Sequence, residues 1–316
     1  MKGLFTDMKK PLRFLIVFYL VFFSILVGAA LSQINSVPAP VLRWLGTAGY
    51  EITFGDTVVL IDPFLTRPPV NFFSKDFKGE EVLNVNEALV SEIIKKADYI
   101  LVGHSHWDHL MDVPYIAKKT GAKVIGSETT ANILRSYEVP EEQIIPVKGG
   151  EQIQFSNFSV RVIPSLHSLN ARKRVGIPGA VPAPLKPPLK VADLKEGGTF
   201  GYYLRMGKYT LLHIGSANYI ENEIRNLQSP DVAILGTLAR ENTEDYTSRI
   251  LKLLHPRVVL PTHWDNFMLP FSQGATEIAE LGEAGKVENF VKEIRGASPE
   301  TKVLVQKFLE TYTFGD

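Results

Sequence analysis

The chain contains no cysteine among its 316 residues. This absence excludes disulfide bridges, metal sites built from thiolates and catalysis by a cysteine nucleophile. The chain also has no excess of charge, because 34 Lys and Arg residues balance 34 Asp and Glu residues. A basic excess is the usual mark of a nucleic-acid-binding protein, so we expect no nucleic-acid partner. The sequence further lacks the phosphate-binding P-loop motif and the serine elbow of α/β-hydrolases.

The composition is typical of a globular protein, with 45% hydrophobic and 22% charged residues. Short apolar runs that favour strands alternate with segments whose apolar residues recur at helical spacing. One helix is predicted over residues 87–96 with Asn86 as its cap, and another over residues 243–254. This alternation predicts an α/β layered domain that occupies residues 41–316.

The first 31 residues differ from the rest of the chain. Phe14–Leu31 is a run of 18 residues without a charged side chain, and a membrane-spanning helix needs about 20 apolar residues. We predict an uncleaved membrane anchor over residues 1–31; the alternative is a signal peptide cleaved near the small residues 28–30. In both cases the basic residues before the run predict a catalytic domain on the non-cytoplasmic side, either membrane-anchored or secreted. Residues 32–40 are polar and contain proline, which predicts a linker.

Residues 104–109 carry three imidazoles and one carboxylate within a turn-sized segment. They read His104, Ser105, His106, Trp107, Asp108 and His109. The segment follows the predicted strand 99–102 directly. Imidazole nitrogen and carboxylate oxygen are ligands that zinc prefers, and so many titratable groups beside a buried strand would be costly without a cation. We therefore predict a metal site here, rather than a surface loop that is rich in histidine by chance.

The pattern H-x-H-x-D-H at residues 104–109 resembles the signature of the metallo-β-lactamase superfamily. The other elements of that signature follow apolar runs in the expected order, with Asp62 after residues 58–61, His167 after residues 162–166 and His263 after residues 258–262. The resemblance extends over about residues 41–270. It implies an α/β fold of four layers, the αββα sandwich, with metal ions at the shared edge of the two sheets.

The resemblance also implies two sets of metal ligands. The first set is His104, His106 and His167, and the second set is Asp108, His109 and His263. Metal-bound histidine usually donates its other N–H to an oxygen, and Asp62 is a better candidate for that acceptor than Asp265. His213, on the predicted strand 209–214, either supports a ligand, faces the substrate or is a packed strand residue.

One position departs from the family pattern. The family usually has an aspartate that bridges the two metals, and this chain has Ser216 at that point. A hydroxide could bridge the metals instead, and some metallo-β-lactamases resemble this chain in having serine there. The missing negative charge should weaken binding of the second metal. We expect two metal ions, with a single ion or a degenerate protein without activity as the alternatives.

Residues 171–198 interrupt the alternation of strands and helices. The segment contains Pro178, Pro182, Pro184, Pro187 and Pro188 together with several Lys and Arg residues. Proline removes backbone donors, so neither a helix nor a central strand is expected. Loops longer than about 12–15 residues are often functional, and this one begins just after His167. We expect a lid or wall of the metal site whose cations favour an anionic substrate or membrane face; a plain surface excursion is the alternative.

The predicted chemistry is hydrolysis by a metal-bound hydroxide, because zinc lowers the pKa of bound water from about 15.7 to near 7. Asp108 would orient the nucleophile or transfer its proton. We expect one or two zinc ions, with manganese or iron as alternatives.

Residues 41–64 look like the family branch that contains sugar-phosphate lactonases and a phospholipase D acting on N-acylphosphatidylethanolamine. A phosphodiester, a phospholipid or a lactone or other ester is therefore the favoured substrate. The alternatives are a β-lactamase and a non-catalytic, membrane-tethered metal-binding protein.

Overall fold

The structure is a computed structural model that describes residues 38–315. The predicted anchor or signal segment, residues 1–31, and most of the predicted linker, residues 32–40, lie outside the described residues. Among residues 38–315, no helix has both the length and the apolar character needed to cross a membrane.

The described residues contain fourteen β-strands and eight α-helices. The strands are β1 Val41–Gly46, β2 Gly49–Phe54, β3 Thr57–Ile61, β4 Tyr99–Leu101, β5 Lys123–Gly126, β6 Ile144–Pro146, β7 Gln152–Gln154, β8 Phe158–Pro164, β9 Phe200–Met206, β10 Tyr209–Ile214, β11 Val232–Gly236, β12 Val258–Thr262, β13 Lys302–Val303 and β14 Thr311–Thr313. The helices are α1 Glu87–Ile93, α2 Trp107–Leu110, α3 Val113–Thr120, α4 Glu128–Ser136, α5 Glu221–Ile224, α6 Tyr246–Leu254, α7 Gly282–Gly285 and α8 Val287–Ala297.

The strands form two seven-stranded sheets with the same kind of topology. The first sheet has the order β14-β1-β2-β3-β4-β5-β6, and the second has the order β13-β12-β11-β10-β9-β8-β7. In each sheet three parallel pairs form one half, β3 to β6 in the first and β10 to β13 in the second. The remaining pairs in both sheets are antiparallel. Parallel strands need crossover connections, which the helices provide.

The two sheets pack face to face through a shared apolar layer. Trp44, Ile61 and Leu101 of the first sheet lie in one buried cluster with Tyr202 and Leu260 of the second. Side chains alternate between the two faces of a strand, so the neighbouring residues of these strands point away from this layer. Each fully buried apolar side chain of this kind contributes about 1.5–3 kcal/mol to folding.

Helices cover the outer face of each sheet. Leu60 and Ile100 on the first sheet pack in a cluster with Ile116 of α3 and Leu134 of α4. On the second sheet, a corresponding cluster joins Leu212, Leu235 and Val259 to Ile250 of α6 and to Phe290 and Ile294 of α8. The order of layers is therefore helix, sheet, sheet, helix, which confirms the predicted αββα sandwich.

Helix α1 and helix α6 begin and end close to the predicted positions. Asn86 caps α1 as predicted, because its side chain accepts a hydrogen bond from Leu89 N at 3.1 Å. The helix ends at Ile93 rather than residue 96, since Ile94 already has extended backbone angles. Helix α6 begins at Tyr246 rather than residue 243, because Thr243 is extended and its hydroxyl donates to Ala217 O at 2.9 Å.

The proline-rich segment 171–198 contains no strand and no α-helix, as predicted. Residues 181–189 of this segment are fixed to the body of the domain. Asn132 of α4 donates to Val181 O at 2.9 Å, and Leu185 N donates to Ser136 Oγ at 2.7 Å. Leu83 N donates to Leu189 O at 2.9 Å. Its first half lies over the strand ends that carry the candidate site.

Candidate functional site

The candidate site lies where several strands of both sheets end. Asp62 follows β3 and the segment 104–109 follows β4. His167 follows β8 after two intervening residues. On the second sheet, Ser216 follows β10 and His263 directly follows β12. Asp62 and His263 both have positive φ angles, 43° and 56°, so the chain turns sharply at the strand ends there. The carboxyl ends of these strands therefore bring distant residues to one edge of the sandwich.

The first group of side chains consists of His104, His106 and His167. Their candidate ligand atoms all lie within 4.8 Å of one another. His104 Nε2 and His106 Nδ1 face each other at 3.0 Å, and the ring of His167 is 4.6 Å from that of His104 and 4.7 Å from that of His106. Two imidazole nitrogens in this contact point their lone pairs or protons into a common space.

The second group consists of Asp108, His109 and His263, and its ligand atoms also lie within 4.8 Å of one another. His263 Nε2 is 3.1 Å from Asp108 Oδ2, and His109 Nε2 is 3.7 Å from the same oxygen. The two groups are adjacent, because the rings of His104 and His109 are only 3.9 Å apart. Helix α2 begins at Trp107, inside the segment 104–109, and carries Asp108 and His109.

Asp62 lies beneath the second group and contacts His109. Its Oδ2 is 2.9 Å from His109 Nδ1, and its Oδ1 accepts a hydrogen bond from Gly103 N at 2.6 Å. The carboxylate thereby faces the ring nitrogen of His109 that points away from Asp108. A side chain larger than hydrogen at Gly103 would not fit, because a Cβ atom there would be 2.8 Å from Asp62 Oδ2.

Burial and neighbouring charges affect the pKa values of the two groups differently. Burial lowers the pKa of His104, His106 and His167, in the last case to about 3, so all three imidazoles are neutral at pH 7. Burial opposes protonation of His109, but Asp62 and Asp108 raise its pKa above the ordinary value. Burial likewise opposes ionisation of Asp108, but the imidazoles of His109 and His263 lower its pKa. The first group offers uncharged nitrogens, and the second contains a stable carboxylate.

Both groups suit a transition-metal ion. His109 Nε2 is buried without a hydrogen-bond partner, although it faces the Asp108 carboxylate. Leaving such a nitrogen unsatisfied is costly, and a cation between His109 Nε2 and the Asp108 carboxylate would satisfy both. Neutral imidazoles and carboxylate oxygens are also the donors that zinc, manganese and iron accept in proteins. The donor set therefore fits one cation in each group.

Ser216 and His213 occupy different surroundings. Ser216 is buried and lines the cavity beside the two groups. His213 lies on β10 with no exposed surface, and its Nε2 contacts Ala48 O at 2.8 Å. His213 is not among the residues that line the cavity. Of the three interpretations open from the sequence, the structure favours a packed strand residue for His213 over a residue that faces substrate.

An ion pair behind His263 could not be foreseen from the sequence. Asp265 contacts Arg67 rather than an imidazole, and both side chains are fully buried. Asp265 Oδ1 also accepts from Thr47 N at 2.8 Å, while Thr47 O accepts from His263 N at 2.8 Å. The only signal in the sequence is that Asp265 follows a ligand candidate closely; nothing there connects it to residue 67.

A cavity of about 600 Å³ opens beside the two groups. Its floor includes the side chains of His106, Asp108, His167, Ser216 and His263. Its walls include residues 72–75 and 77, residues 168–172, 176 and 177, and residues 238, 239, 241 and 242 of the loop after β11. The volume lies within the range of about 300–1,000 Å³ that is common for small-molecule sites. The first half of the proline-rich segment is thus a wall of this cavity, as one of the two interpretations of that segment predicts.

Comparison with known proteins agrees with the fold. The family described as "Beta-lactamase superfamily domain" matches residues 41–263. A protein of Archaeoglobus fulgidus named "UPF0173 metal-dependent hydrolase" is 28% identical over 283 residues, which is 86% of this chain and 98% of that protein. A protein of the same name from Myxococcus xanthus is 30% identical over 258 residues, which is 79% of this chain and 78% of that protein.

A solved structure shares the fold. Igni18, described as a novel metallo hydrolase from the archaeon Ignicoccus hospitalis, superposes with a TM-score of 0.60 at 20% sequence identity. The alignment covers 88% of this chain and 99% of Igni18. At this level of identity the similarity shows a common architecture, and the chemistry must be argued from the side chains of this chain.

Proposed function

Since this chain belongs to the metallo-β-lactamase superfamily, we propose that it is a metal-dependent hydrolase whose centre is formed by the two groups described above. His104, His106 and His167 would hold one ion, and Asp108, His109 and His263 a second. Zinc is the first candidate, with manganese and iron as alternatives. The observation that carries the proposal is the convergence of six donor atoms in two groups. Four of these residues also line one cavity, namely His106, Asp108, His167 and His263.

In the proposed hydrolysis, the metal ions and the protein residues have different roles. Divalent ions held here would lower the pKa of water and polarise an oxygen of the substrate. Asp108 lies on the cavity floor and its pKa is lowered, so it remains a carboxylate that orients the attacking water. Asp62 holds the ring of His109 in one orientation through the contact with Nδ1.

We propose a phosphodiester or a lactone or other ester as the substrate class. Support comes from the resemblance of residues 41–64 to the branch with sugar-phosphate lactonases and an N-acylphosphatidylethanolamine phospholipase D. Arg172 and Lys75 line the cavity and favour an anionic substrate. Both a phosphodiester and a lactone of a sugar phosphate carry the negative charge that these side chains attract.

Metal analysis and a substrate panel test the proposal. Purified full-length protein should contain one to two equivalents of metal and should hydrolyse bis-p-nitrophenyl phosphate or a lactone after addition of zinc or manganese. Metal binding without turnover of any ester, lactone or phosphodiester would instead favour the non-catalytic alternative. Rapid hydrolysis of nitrocefin with no activity on the other substrates would favour a β-lactamase.

We also propose that residues 14–31 attach the enzyme to a membrane, with the catalytic domain on the non-cytoplasmic side. The proposal rests on the uncharged 18-residue run and on the basic residues that precede it. Fractionation of cells that express the full chain tests it. The protein should remain with membranes after washing with high salt, and protease added to the non-cytoplasmic side should degrade the domain.

A further inference from the structure

One wall of the cavity is formed by four phenylalanines, Phe72, Phe73, Phe77 and Phe267, which we call the aromatic wall. The ring of Phe72 is 5.4 Å from that of Phe73, 5.1 Å from that of Phe77 and 6.1 Å from that of Phe267. Phe267 in turn stands perpendicular to the ring of His263 at 5.3 Å. The aromatic wall thus begins at a proposed metal ligand and continues outward along the cavity.

The outer rings of the aromatic wall are not fully buried in the hydrophobic core. Phe267 is buried, but Phe72, Phe73 and Phe77 are only partly buried, in a segment without helix or strand. Partly exposed phenyl rings that face a cavity gain free energy when an apolar group covers them, by about 25 cal/mol for each Å² removed from water. The backbone of Gly176 closes over Phe72, since a Cβ atom at Gly176 would be 3.5 Å from the ring.

The exposed residues that line the cavity, which we call its rim, include two cationic side chains, Arg172 and Lys75. Arg172 lies in a tight turn, because Asn170 Oδ1 accepts hydrogen bonds from the backbone N–H groups of Arg172 and Arg174. The adjacent Lys173 is already engaged, since its Nζ donates to Asn242 O at 2.7 Å. Neither Arg172 nor Lys75 forms an ion pair with any residue in the range 38–315.

The rim also includes one carboxylate, that of Glu241. Glu241 Oε1 lies 3.4 Å from Asn242 Nδ2, so it is partly engaged at the edge of the opening. The two cations therefore outnumber the single anion at the rim. An anionic group is favoured at the opening, while the aromatic wall favours an apolar group farther in.

We propose that the substrate is an amphiphilic anion, with an acyl or aryl group that packs against the aromatic wall and a negatively charged group that faces Arg172 and Lys75. The inference rests on the proposed function, because it places the bond to be hydrolysed beside the two ligand groups. It goes further by assigning each part of the substrate to named residues. A small, wholly polar phosphodiester would leave the aromatic wall uncovered.

Binding of n-alkylphosphonates, from ethyl to octyl, tests the apolar part without requiring turnover. Affinity would be measured by calorimetry on the full chain, both metal-loaded and treated with chelator. Each added methylene should strengthen binding by up to about fourfold until the aromatic wall is covered. Phe72→Ala should flatten this dependence on chain length. Phe155→Ala is the matched control, because Phe155 is also partly buried and packs against two aromatic rings but does not line this cavity.

The charged part is tested by comparing alkylphosphonates with 1-alkanols of equal length. Arg172→Gln should weaken phosphonate binding several-fold and leave alkanol binding unchanged. Arg174→Gln is the control, because Arg174 belongs to the same turn but does not line the cavity. Equal losses in both variants would show a general effect of charge and would overturn the assignment of the anion to Arg172.

The outcomes separate this inference from the proposed function. Affinity that does not change with chain length, or that falls equally in the Phe72 and Phe155 variants, would overturn the inference even if phosphodiesters were hydrolysed. If Phe72→Ala does not fold, Phe77→Leu provides the same test with a smaller change. A clear dependence on chain length, together with no hydrolysis by the metal-loaded protein, would refute the proposed function and leave the amphiphile site in place.

Discussion

Arg67 and Asp265 form an ion pair in which neither side chain is exposed, with Arg67 Nη2 at 2.5 Å from Asp265 Oδ2. Asp265 also holds the backbone N–H of Thr47, and the carbonyl of Thr47 accepts from His263 N. The pair thus connects the loop after β3, the turn between β1 and β2, and the segment that carries a proposed metal ligand. A buried pair adds little net stability, but removing one partner leaves an uncompensated charge.

Replacing Arg67 by methionine should therefore strongly destabilise the domain. Asp265 would stay buried without its counter-charge, and we expect the free energy of unfolding to fall by about 3–5 kcal/mol. Urea denaturation of the metal-free protein measures the change. Arg135→Met is the control, because the partners of Arg135, Glu128 and Glu141, are mostly exposed and such surface pairs contribute about 0–1 kcal/mol. Equal effects in the two variants would contradict the role given to burial.

Asp62→Asn tests the contact between Asp62 and His109. The amide can no longer hold the His109 ring as a charged acceptor, so we expect metal affinity of the second group to fall by about 10–100-fold. Competition with a chromophoric chelator measures the affinity. Asp112→Asn is a matched control, since Asp112 is equally buried but accepts hydrogen bonds from the backbone of Leu65 and Thr66 instead of a histidine. It should reduce stability and leave metal affinity unchanged.

Because the ligands form two groups, we predict that either metal ion can be lost without the other. His167→Ala should remove the ion of the first group, and His263→Ala the ion of the second, so each variant should retain about one equivalent in a zinc titration. His255→Asn serves as the control, because His255 is exposed at the end of α6 and its φ of 45° is one that asparagine tolerates. Loss of all metal from either ligand variant would mean that the two ions bind only together.

The alternation of strands and helices could be predicted from local patterns, whereas the αββα sandwich and the two ligand sets are what the resemblance to the metallo-β-lactamase superfamily implies. Apolar runs mark the strands, and the side chain after each parallel strand must emerge at the carboxyl edge of its sheet. Asp62 and His263 each follow a strand directly, and His104 follows β4 after two intervening residues, so their common location follows from topology. The convergence of the six donor atoms within two groups is what the structure adds to that expectation.

The contacts that hold the site residues in place could not be predicted in the same way, because they join distant segments without regular structure. The Arg67–Asp265 pair joins residues 198 positions apart. Three of the four rings of the aromatic wall come from a segment, residues 72–77, that forms neither strand nor helix. Asp265 is adjacent to Trp264 near His263, and proximity in sequence suggested a role towards an imidazole. Its partner is instead a buried guanidinium, which no periodicity in the sequence indicates.

Ser216 offers the sharpest test of how this centre differs from the usual family pattern. It is buried and lines the cavity. The resemblance to the family predicts that it stands where a bridging carboxylate is usual. The second group therefore relies on Asp108 as its single carboxylate among the proposed ligands. Adding negative charge at this position should increase the attraction for a second cation, because opposite charges interact strongly in a buried site.

Ser216→Asp should lower the dissociation constant of the weaker zinc ion at least about tenfold, which corresponds to about 1.4 kcal/mol. Ser216→Asn is the matched control, since it has nearly the same size as aspartate without the charge, and its affinity should stay close to that of the unmodified chain. Zinc titration monitored by calorimetry resolves the two binding steps. If the aspartate variant binds the second ion no better than the asparagine variant, residue 216 does not lie between the ions, and the comparison with the family's bridging position is wrong.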